Sequence, residues 1–538
     1  MCGDVSSMYA YEALPVAEWF RRNRELAGFH NPTRALYQTV RELVENSLDA
    51  TETYGILPTI YLRINIEDEQ KSWVSVYAED NGIGIPGAEI PNVFGRVFYS
   101  SKYKIKQHRG VFGLGLKMVV LYAQSTTNKP VYVRSAALKS DKIYEYQIMI
   151  DTNSNSPIIL DRKEYPNKYR WHGTAVKVYL EGSWLAAKKR IEDYLKRTAI
   201  IAPYAEIAFK GPDMELWLKR RTTKLPPAPK EGLPHPKSVD VDTLKQMVAE
   251  SRGMTLLEFL MESFDAVGEG TAKVFLEWAG FNPNMKVTAM TPEEMVKLVE
   301  KMKQYGGWRR PRSEWLSPVG AELLEIGAKA ILGAEAVFAA TRKPESYGGH
   351  PFIVEAAVAW GGQIPPSDKP VLLRYANKIP LLYDEGADVA RKVVDEFNWQ
   401  NYKVKFPASL AVIIHVCSTK IPYASAGKEA IAEVPEIEKE MRLALRDAAK
   451  KLRLYLSRKE KEMEMFNRYV SLAKYVDEIA HNLAITSRLD KDKLAKHLHK
   501  LIEMKIGLTV EELVKHTLSL SAAPQVAEEA AAQQPSAQ

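Results

Sequence analysis

The chain has 538 residues, 46% of them hydrophobic, with 74 Lys and Arg against 67 Asp and Glu, a net charge of +7. That length predicts about three or four domains with cores of their own, and so mild a charge permits a local basic surface for nucleic acid without requiring one. Cys2 and Cys417 are the only cysteines, which excludes a disulfide framework and a clustered Cys/His metal site.

Met1 to Ala10 lacks the basic start and apolar run of a signal peptide, and no apolar stretch is long enough to span a bilayer. A cytoplasmic protein without a membrane partner is therefore expected. A lead-in of about 30 residues carries one helix from Val16 to about Ala27. Asn31-Pro32-Thr33 is a helix start, and that helix should run to about Tyr54. Thr59–Ile66 and Ser72–Ala78 alternate and are rich in Ile, Val, Tyr and Trp, as strands are. Lys117–Gln124 reads as a helix, Val131–Ser135, Ile143–Ile150 and Thr174–Leu180 as strands. A helix over 185–199 and a strand near Ala205–Phe209 close an N-terminal unit whose mixed order predicts an α/β sandwich.

Prolines at 226, 227, 229, 234 and 236 mark a linker. Residues 239–305 are helical by pattern, interrupted at Gly268-Glu269-Gly270. A Gly/Pro-rich connection with short helices fills 306–350. Strands return at Phe352–Trp360, Val371–Ala376 and Leu410–Cys417. Between the last two lies a helix, Asp388–Glu396, a crossover if those strands are parallel. Helical pattern dominates from Ala430 to about Val476, and residues 521–538, rich in Ala, Gln, Glu and Pro, read as disordered. The expected division is an ATP-binding domain over 1–228, a small helical domain over 229–306, an α/β domain with a long helix over 307–477, a helical extension over 478–520 and the tail.

Chemistry concentrates in four segments. Arg41–Ala50 places Glu42 and Asn46 four apart on one helix, so the two side chains are neighbours. A carboxylate there can take a proton from water, and an amide oxygen is a hard, neutral ligand suited to Mg²⁺. Asp80-Asn81-Gly82-Ile83-Gly84 puts a carboxylate at a strand end under a permissive backbone, where it can accept a hydrogen bond from an exocyclic amine such as adenine's. Arg109–Lys117 carries glycines at 110, 113 and 115 directly before a helix, the arrangement that cradles phosphate. Gly173-Thr174 begins a strand.

In this order and spacing the four segments resemble the Bergerat (GHKL) ATP-binding superfamily of gyrase B, MutL, the ATP-dependent heat-shock chaperones and the sensor histidine kinases. RALYQTVRELVENSLDA, DNGIGIP, FGRVFYSSKY, RGVFGLGLK, GHPFIVEA, RYANKIPLLYDE and CSTKIPYASAGKEAIAEV together resemble the B subunits of archaeal topoisomerase VI, from about Glu18 to about Tyr455. The resemblance implies an α+β fold: a Bergerat sandwich, a helix–two-turn–helix insert, and a transducer domain with a long helix. It also implies an ATP-hydrolysing component of a type II DNA topoisomerase. Dimerisation driven by ATP would then gate the passage of one duplex through a break made by a separate A subunit, in a heterotetramer of two A and two B subunits.

Carried over residue by residue, Glu42 is the general base and Asn46 holds Mg²⁺. Asp80 accepts from the adenine amine with help from Thr174, and Gly82 and Gly84 let the loop approach the base. Ser101 and Lys102 belong to a lid near ribose and phosphates. Gly110, Val111, Phe112, Gly113, Leu114, Gly115, Leu116 and Lys117 wrap the phosphate chain. Lys428, with Lys420 as rival, reaches the γ-phosphate from the second domain. Tyr9 and Tyr11 are candidates for a strap that grips a second copy. Helices over 439–475 form the docking arm for the A subunit; their basic stretch Lys450, Lys451, Arg453, Arg458, Lys459 and Lys461 is either a solvated helix face with i,i+4 pairs to Glu460 and Glu462 or their neighbours, or a track for DNA phosphates. The other reading of the same pocket is an ATP-driven clamp or chaperone unconnected with topoisomerase activity.

Overall fold

The computed structural model describes residues 14–24, 28–100, 107, 109, 114–251, 253–425 and 427–506. Tyr9, Tyr11, Ser101, Lys102, Gly110, Val111, Phe112, Gly113 and the tail from 521 lie outside them. The described residues up to 450 form one compact unit, and those from 451 onward a second.

A short helix, α1 (Val16–Arg22), precedes α2 (Pro32–Glu52). Expected to reach Ala27, α1 instead ends at Arg22: the backbone of Asn23 has left helical geometry, and its side-chain amide donates to the carbonyl of Trp19. The start of α2 follows from its residues. The side-chain oxygen of Asn31 accepts the Arg34 N–H at 2.8 Å, and Pro32 fills the first turn, where no intrahelical donor is needed.

The strands β1 (Thr59–Asp68), β2 (Trp73–Asp80), β3 (Val131–Ala136), β4 (Lys142–Asp151), β5 (Ser156–Pro166), β6 (Gly173–Glu181), β7 (Glu206–Lys210) and β8 (Glu215–Leu218) form one sheet, ordered β5-β4-β3-β6-β2-β1-β7-β8. All its pairings are antiparallel except β1 with β7. Three helices accompany it: α3 (Ile90–Gly95), α4 (Gly115–Thr127) and α5 (Trp184–Ile201). Leu36, Val40, Leu43, Val44 and Leu48 on one face of α2 share a core with Ile60, Leu62, Ile64, Val74, Val76, Val176 and Val178 of the sheet. That burial fixes which face of α2 is left for the polar residues of the site.

After a proline-rich stretch come α6 (Val241–Glu250), α7 (Leu256–Ser263), α8 (Glu269–Ala279) and α9 (Pro292–Gln304), with a core of their own around Leu244, Leu260, Phe259, Phe275 and Leu298. Gly268 is the N-cap of α8, so the Gly-Glu-Gly interruption is a helix start. Helix α10 (Ala321–Leu332) leads into a six-stranded sheet. Its strands are β9 (Ala336–Thr341), β10 (Glu345–Tyr347), β11 (His350–Trp360), β12 (Val371–Ala376), β13 (Ile379–Leu381) and β14 (Leu410–Ser418). β14 lies between β11, its antiparallel neighbour, and β12, to which it is parallel. The intervening helix α11 (Val389–Asp395) is thus the expected crossover. A 40-residue helix, α12 (Pro435–Lys474), follows, then α13 (Val476–Ser487) and α14 (Lys491–Ile506). Among the described residues no helix is long and apolar enough to cross a membrane.

The two sheets are joined by apolar packing. Leu323, Leu324 and Ala328 of α10 and Leu373, Tyr375 and Ile413 of the second sheet belong to the same cluster as Ile191, Leu195 and Ile200 of α5. The contact is close enough that a Cβ on Gly327 would overlap the carbonyl oxygen of Ile200. Gly327→Ala is therefore expected to force α10 away from α5 and destabilise the fold by about 1–3 kcal/mol. Thermal melting checks this, and an unchanged Tm would mean that the helix pair can part freely.

Candidate functional site

The polar face of α2, the loop after β2, the start of α4 and a loop before α12 line a single cavity of about 1010 Å³. Glu42, Asn46, Asp80, Gly84, Leu114, Gly115, Leu116, Lys117, Thr174 and Lys428 all line it. Gly82 sits beneath the lining, tied to Asp80 by its N–H. Lys420 is not among the lining residues; it lies beside β14, where its carbonyl accepts from the hydroxyls of Ser418 and Tyr347.

On α2, Gln38 and Glu42 are one turn apart, and Nε2 of Gln38 donates to Oε1 of Glu42 at 2.9 Å. The Asn46 amide donates to the Glu42 carbonyl at 2.7 Å, which fixes the nitrogen toward the helix and identifies the oxygen as the ligand-type atom. The Glu42 carboxylate lies against the first turn of α4: a Cβ on Gly115 would overlap it. The general-base candidate therefore faces a helix N-terminus, where backbone N–H groups and the helix dipole favour anions.

Asp80 is only 8% exposed. Its Oδ1 accepts the N–H of Gly82 at 2.8 Å and that of Thr174 at 3.3 Å, and its Oδ2 accepts the hydroxyl of Ser47 at 3.1 Å. Burial pushes its carboxyl up to about 6, although these three donors pull the other way. The loop that follows is pinned on several sides. Ile83 N–H donates to the Ala50 carbonyl, Leu138 N–H to the Ile83 carbonyl, and a ring nitrogen of His172 lies 2.8 Å from the Gly82 carbonyl oxygen. Gly84 has a left-handed φ of +67°, and a Cβ there would overlap the Ala136 carbonyl, so only glycine fits.

Ser135 orients Thr174. The Ser135 hydroxyl donates to the Gly173 carbonyl at 2.8 Å and accepts from Ile85 N–H at 2.9 Å. Its single hydrogen is thus committed, and in the 3.0 Å contact between the two hydroxyls Thr174 must be the donor.

Arg109, the residue before the glycine-rich segment, is buried and bonded to Asp49 at 2.9 Å and Glu52 at 2.6 Å. Glu52 also receives Lys378 Nζ from the second sheet at 3.3 Å. Burial raises the Glu52 carboxyl, but Arg109 and Lys378 outweigh it and hold it below its ordinary value. Burial lowers the Lys428 ammonium, opposed by the charge of Glu42, as expected for a lysine facing into the cavity. Burial likewise pushes the Glu45 carboxyl up to about 7 against its partner Arg41.

Sequence reasoning does not single out Ser47, Ser135, Gln38 or His172 as site residues, and takes Arg109 only as the start of the glycine-bearing segment without a role of its own. For Gln38 alone a signal exists: it lies one helical turn before Glu42, on the same face.

Residues 31–149 match the family described as histidine kinase-, DNA gyrase B-, and HSP90-like ATPase, and residues 311–468 match topoisomerase VI B subunit, transducer. The B subunit of type 2 DNA topoisomerase 6 from Pyrobaculum aerophilum is 90% identical over 518 residues, covering 96% of this chain and 98% of that protein. Its counterpart from Saccharolobus solfataricus is 47% identical over 523 residues, covering 95% and 99%. With an ATPase-type cavity at one end and a matching transducer at the other, the chain belongs to the family of type 2 DNA topoisomerase 6 B subunits.

Proposed function

We propose that this cavity binds ATP with Mg²⁺ and that hydrolysis there drives the passage of one DNA duplex through another. The supporting observation is the convergence of Glu42, Asn46, Asp80 and Lys428, from separated segments, on one cavity. The residues fit such a ligand. Asp80 is a buried acceptor held open for an exocyclic amine, and the N-terminus of α4 is a ready anion site. Among the described residues no three His, Cys, Asp or Glu converge as metal ligands. Mg²⁺ needs no such cluster, since it keeps several waters and takes its other ligands from phosphates. Held by Asn46, it would neutralise charge on the phosphate chain.

The chain's own residues do the rest. Gln38 holds the Glu42 carboxylate, which takes a proton from the attacking water. Ser47, Gly82 and Thr174 fix Asp80, which accepts from adenine. By the family resemblance Ser101 and Lys102 are assigned near ribose and phosphates and Gly110 to Lys117 to the phosphate chain, an assignment supported by Leu114, Gly115, Leu116 and Lys117 lining the cavity. Lys428 offers its ammonium to the γ-phosphate. That group exists before hydrolysis and not after, so a lysine from beyond the second sheet makes the angle between the two α/β domains depend on nucleotide state. Such a division of roles suits phosphoryl transfer, where positioning and charge neutralisation supply most of the catalysis.

The partners are a second copy, gripped through the N-terminal strap of Tyr9 and Tyr11, double-stranded DNA, and an A subunit that makes the break, in a heterotetramer. Docking of the A subunit falls to the helical stretch over 439–475, where Leu454, Met463, Met465 and Leu472 are exposed apolar side chains. The clamp or chaperone alternative is not favoured, since the relatives match along almost the whole chain, transducer included.

Sedimentation of the chain with and without a non-hydrolysable ATP analogue tests the gate: the analogue is expected to shift monomer to dimer. The chain alone is expected to leave supercoiled DNA unchanged, and to relax it once an A subunit and ATP are added. Absence of the dimer shift would sink the gate, and relaxation without an A subunit would sink the division of labour.

A further inference from the structure

Beside Lys428 stands a buried carboxylate for which the reaction above has no use. Glu429 is 1% exposed, and its Oε1 accepts Nη1 of Arg41 at 3.0 Å, with Nη2 of Arg34 at 3.7 Å. Its other oxygen is buried and has no hydrogen-bond partner among the described residues. The Glu429 carbonyl accepts from Nη1 of Arg374 at 3.1 Å, and the same nitrogen donates to Oδ2 of Asp388 at 2.8 Å. That aspartate oxygen also accepts the N–H of Ile431 at 2.9 Å. The segment is thus held twice: its backbone by the second α/β domain, and its Glu429 side chain by α2.

The sequence positions make this a two-point contact. Arg41 and Glu42 are consecutive on α2, and Lys428 and Glu429 are consecutive on the loop. Arg41 reaches Glu429, and Lys428 faces the cavity that Glu42 lines. Lys428 has a left-handed backbone, φ +56°, which a residue with a side chain keeps only where its surroundings over-determine it. A charged bond immediately after it supplies such a constraint. A buried carboxylate with one oxygen unsatisfied is expensive for stability alone, so an ion pair at this place calls for a role in geometry.

We propose that Glu429 is a positioning residue for hydrolysis. Its bond to Arg41 sets the register of the loop on α2 and so delivers Lys428 to the phosphate chain opposite Glu42. This rests on Lys428 reaching the γ-phosphate, and the experiment separates the two claims.

The test is steady-state ATP hydrolysis by the full chain with its A subunit and DNA, for wild type, Glu429→Gln, Lys428→Ala and the double variant. Glu429→Gln is expected to lower kcat by about tenfold or more and to change KM by less than about threefold, because a misplaced ammonium costs the transition state while the adenine contacts are intact. In the Lys428→Ala background the same change is expected to have no further effect, because Glu429 acts through that lysine. A kcat within about twofold of wild type, or an equal loss with and without Lys428, overturns the proposal in favour of a purely structural ion pair. An undiminished kcat in Lys428→Ala overturns the γ-phosphate assignment itself. If Glu429→Gln fails to fold, Glu429→Asp, which keeps the charge one methylene short, is put through the same cycle and judged by the same two outcomes.

Discussion

Replacing Glu42 by Ala is expected to lower kcat for ATP hydrolysis by about 10²- to 10⁴-fold while nucleotide still binds, the range over which a positioned general base acts. The two effects part because of where the residue sits. Glu42 is on the α2 face that meets the first turn of α4, one turn from Asn46, whereas the end of the cavity proposed to take the base is built by Asp80, Ser47 and Thr174. Glu42→Gln is the sharper variant. It keeps the shape that Gln38 and Gly115 enclose and removes only the ability to take a proton. Steady-state turnover and equilibrium binding of a non-hydrolysable analogue, measured on the same preparation, check it. Turnover within about tenfold of wild type for both variants would place the base elsewhere. Glu45, which also lines the cavity and has a carboxyl pushed up to about 7 by burial, would then be the next candidate.

The residues proposed to touch a ligand and the residues that hold them differ in how far sequence exposes them. Glu42, Asn46, Asp80 and the glycines stand at short, regular intervals, and each type is dictated by local chemistry. Their supports are ordinary residues made significant by tertiary neighbours. Ser47 matters because Asp80 lies against it, Ser135 because Gly173 and Ile85 do, and Arg41 because Glu429 returns to it from 388 positions away. No local pattern carries that information.

The same division runs through the fold. α2 is legible from its cap and its apolar spacing, and β11 and β14 from continuous apolar runs that are buried on both faces. β5 is not: it lies at the sheet edge with most of its residues exposed, and its charged run Asp161-Arg162-Lys163-Glu164 has no apolar alternation. β8, β9 and β10 escape sequence reading as well. β8 and β10 have four and three residues, and β9 follows a Gly-containing turn that the composition of 306–350 disguises. Such strands exist because a neighbouring strand pairs with them, which is a property of the sheet and not of the segment.

Asp80 carries the second large effect, and its sign can be worked out from burial. Its carboxyl is raised by burial from the ordinary 3.8 to about 6, so around pH 5 the folded chain holds a proton that the unfolded chain has released. The fold loses stability as pH rises from about 4 to about 6, by about 3 kcal/mol for a shift of this size, and that cost remains in full above it. An adenine amine donating to the ionised carboxylate offsets the cost, so binding favours the deprotonated form. ATP affinity is therefore expected to be level above about pH 7 and to fall as pH drops through 6, approaching about tenfold per unit where the group is mostly protonated. Asp80→Asn should weaken ATP binding by about 10- to 100-fold at pH 7.5, the worth of a hydrogen bond to a buried charge, and should flatten the acid limb. It should also narrow the preference for ATP over GTP: the guanine oxygen at the corresponding position is repelled by a carboxylate but can accept from an amide. Calorimetric titrations of both nucleotides between pH 5 and 8 check all three expectations. An acid limb that persists unchanged in Asp80→Asn would remove Asp80 from the base-binding end of the cavity.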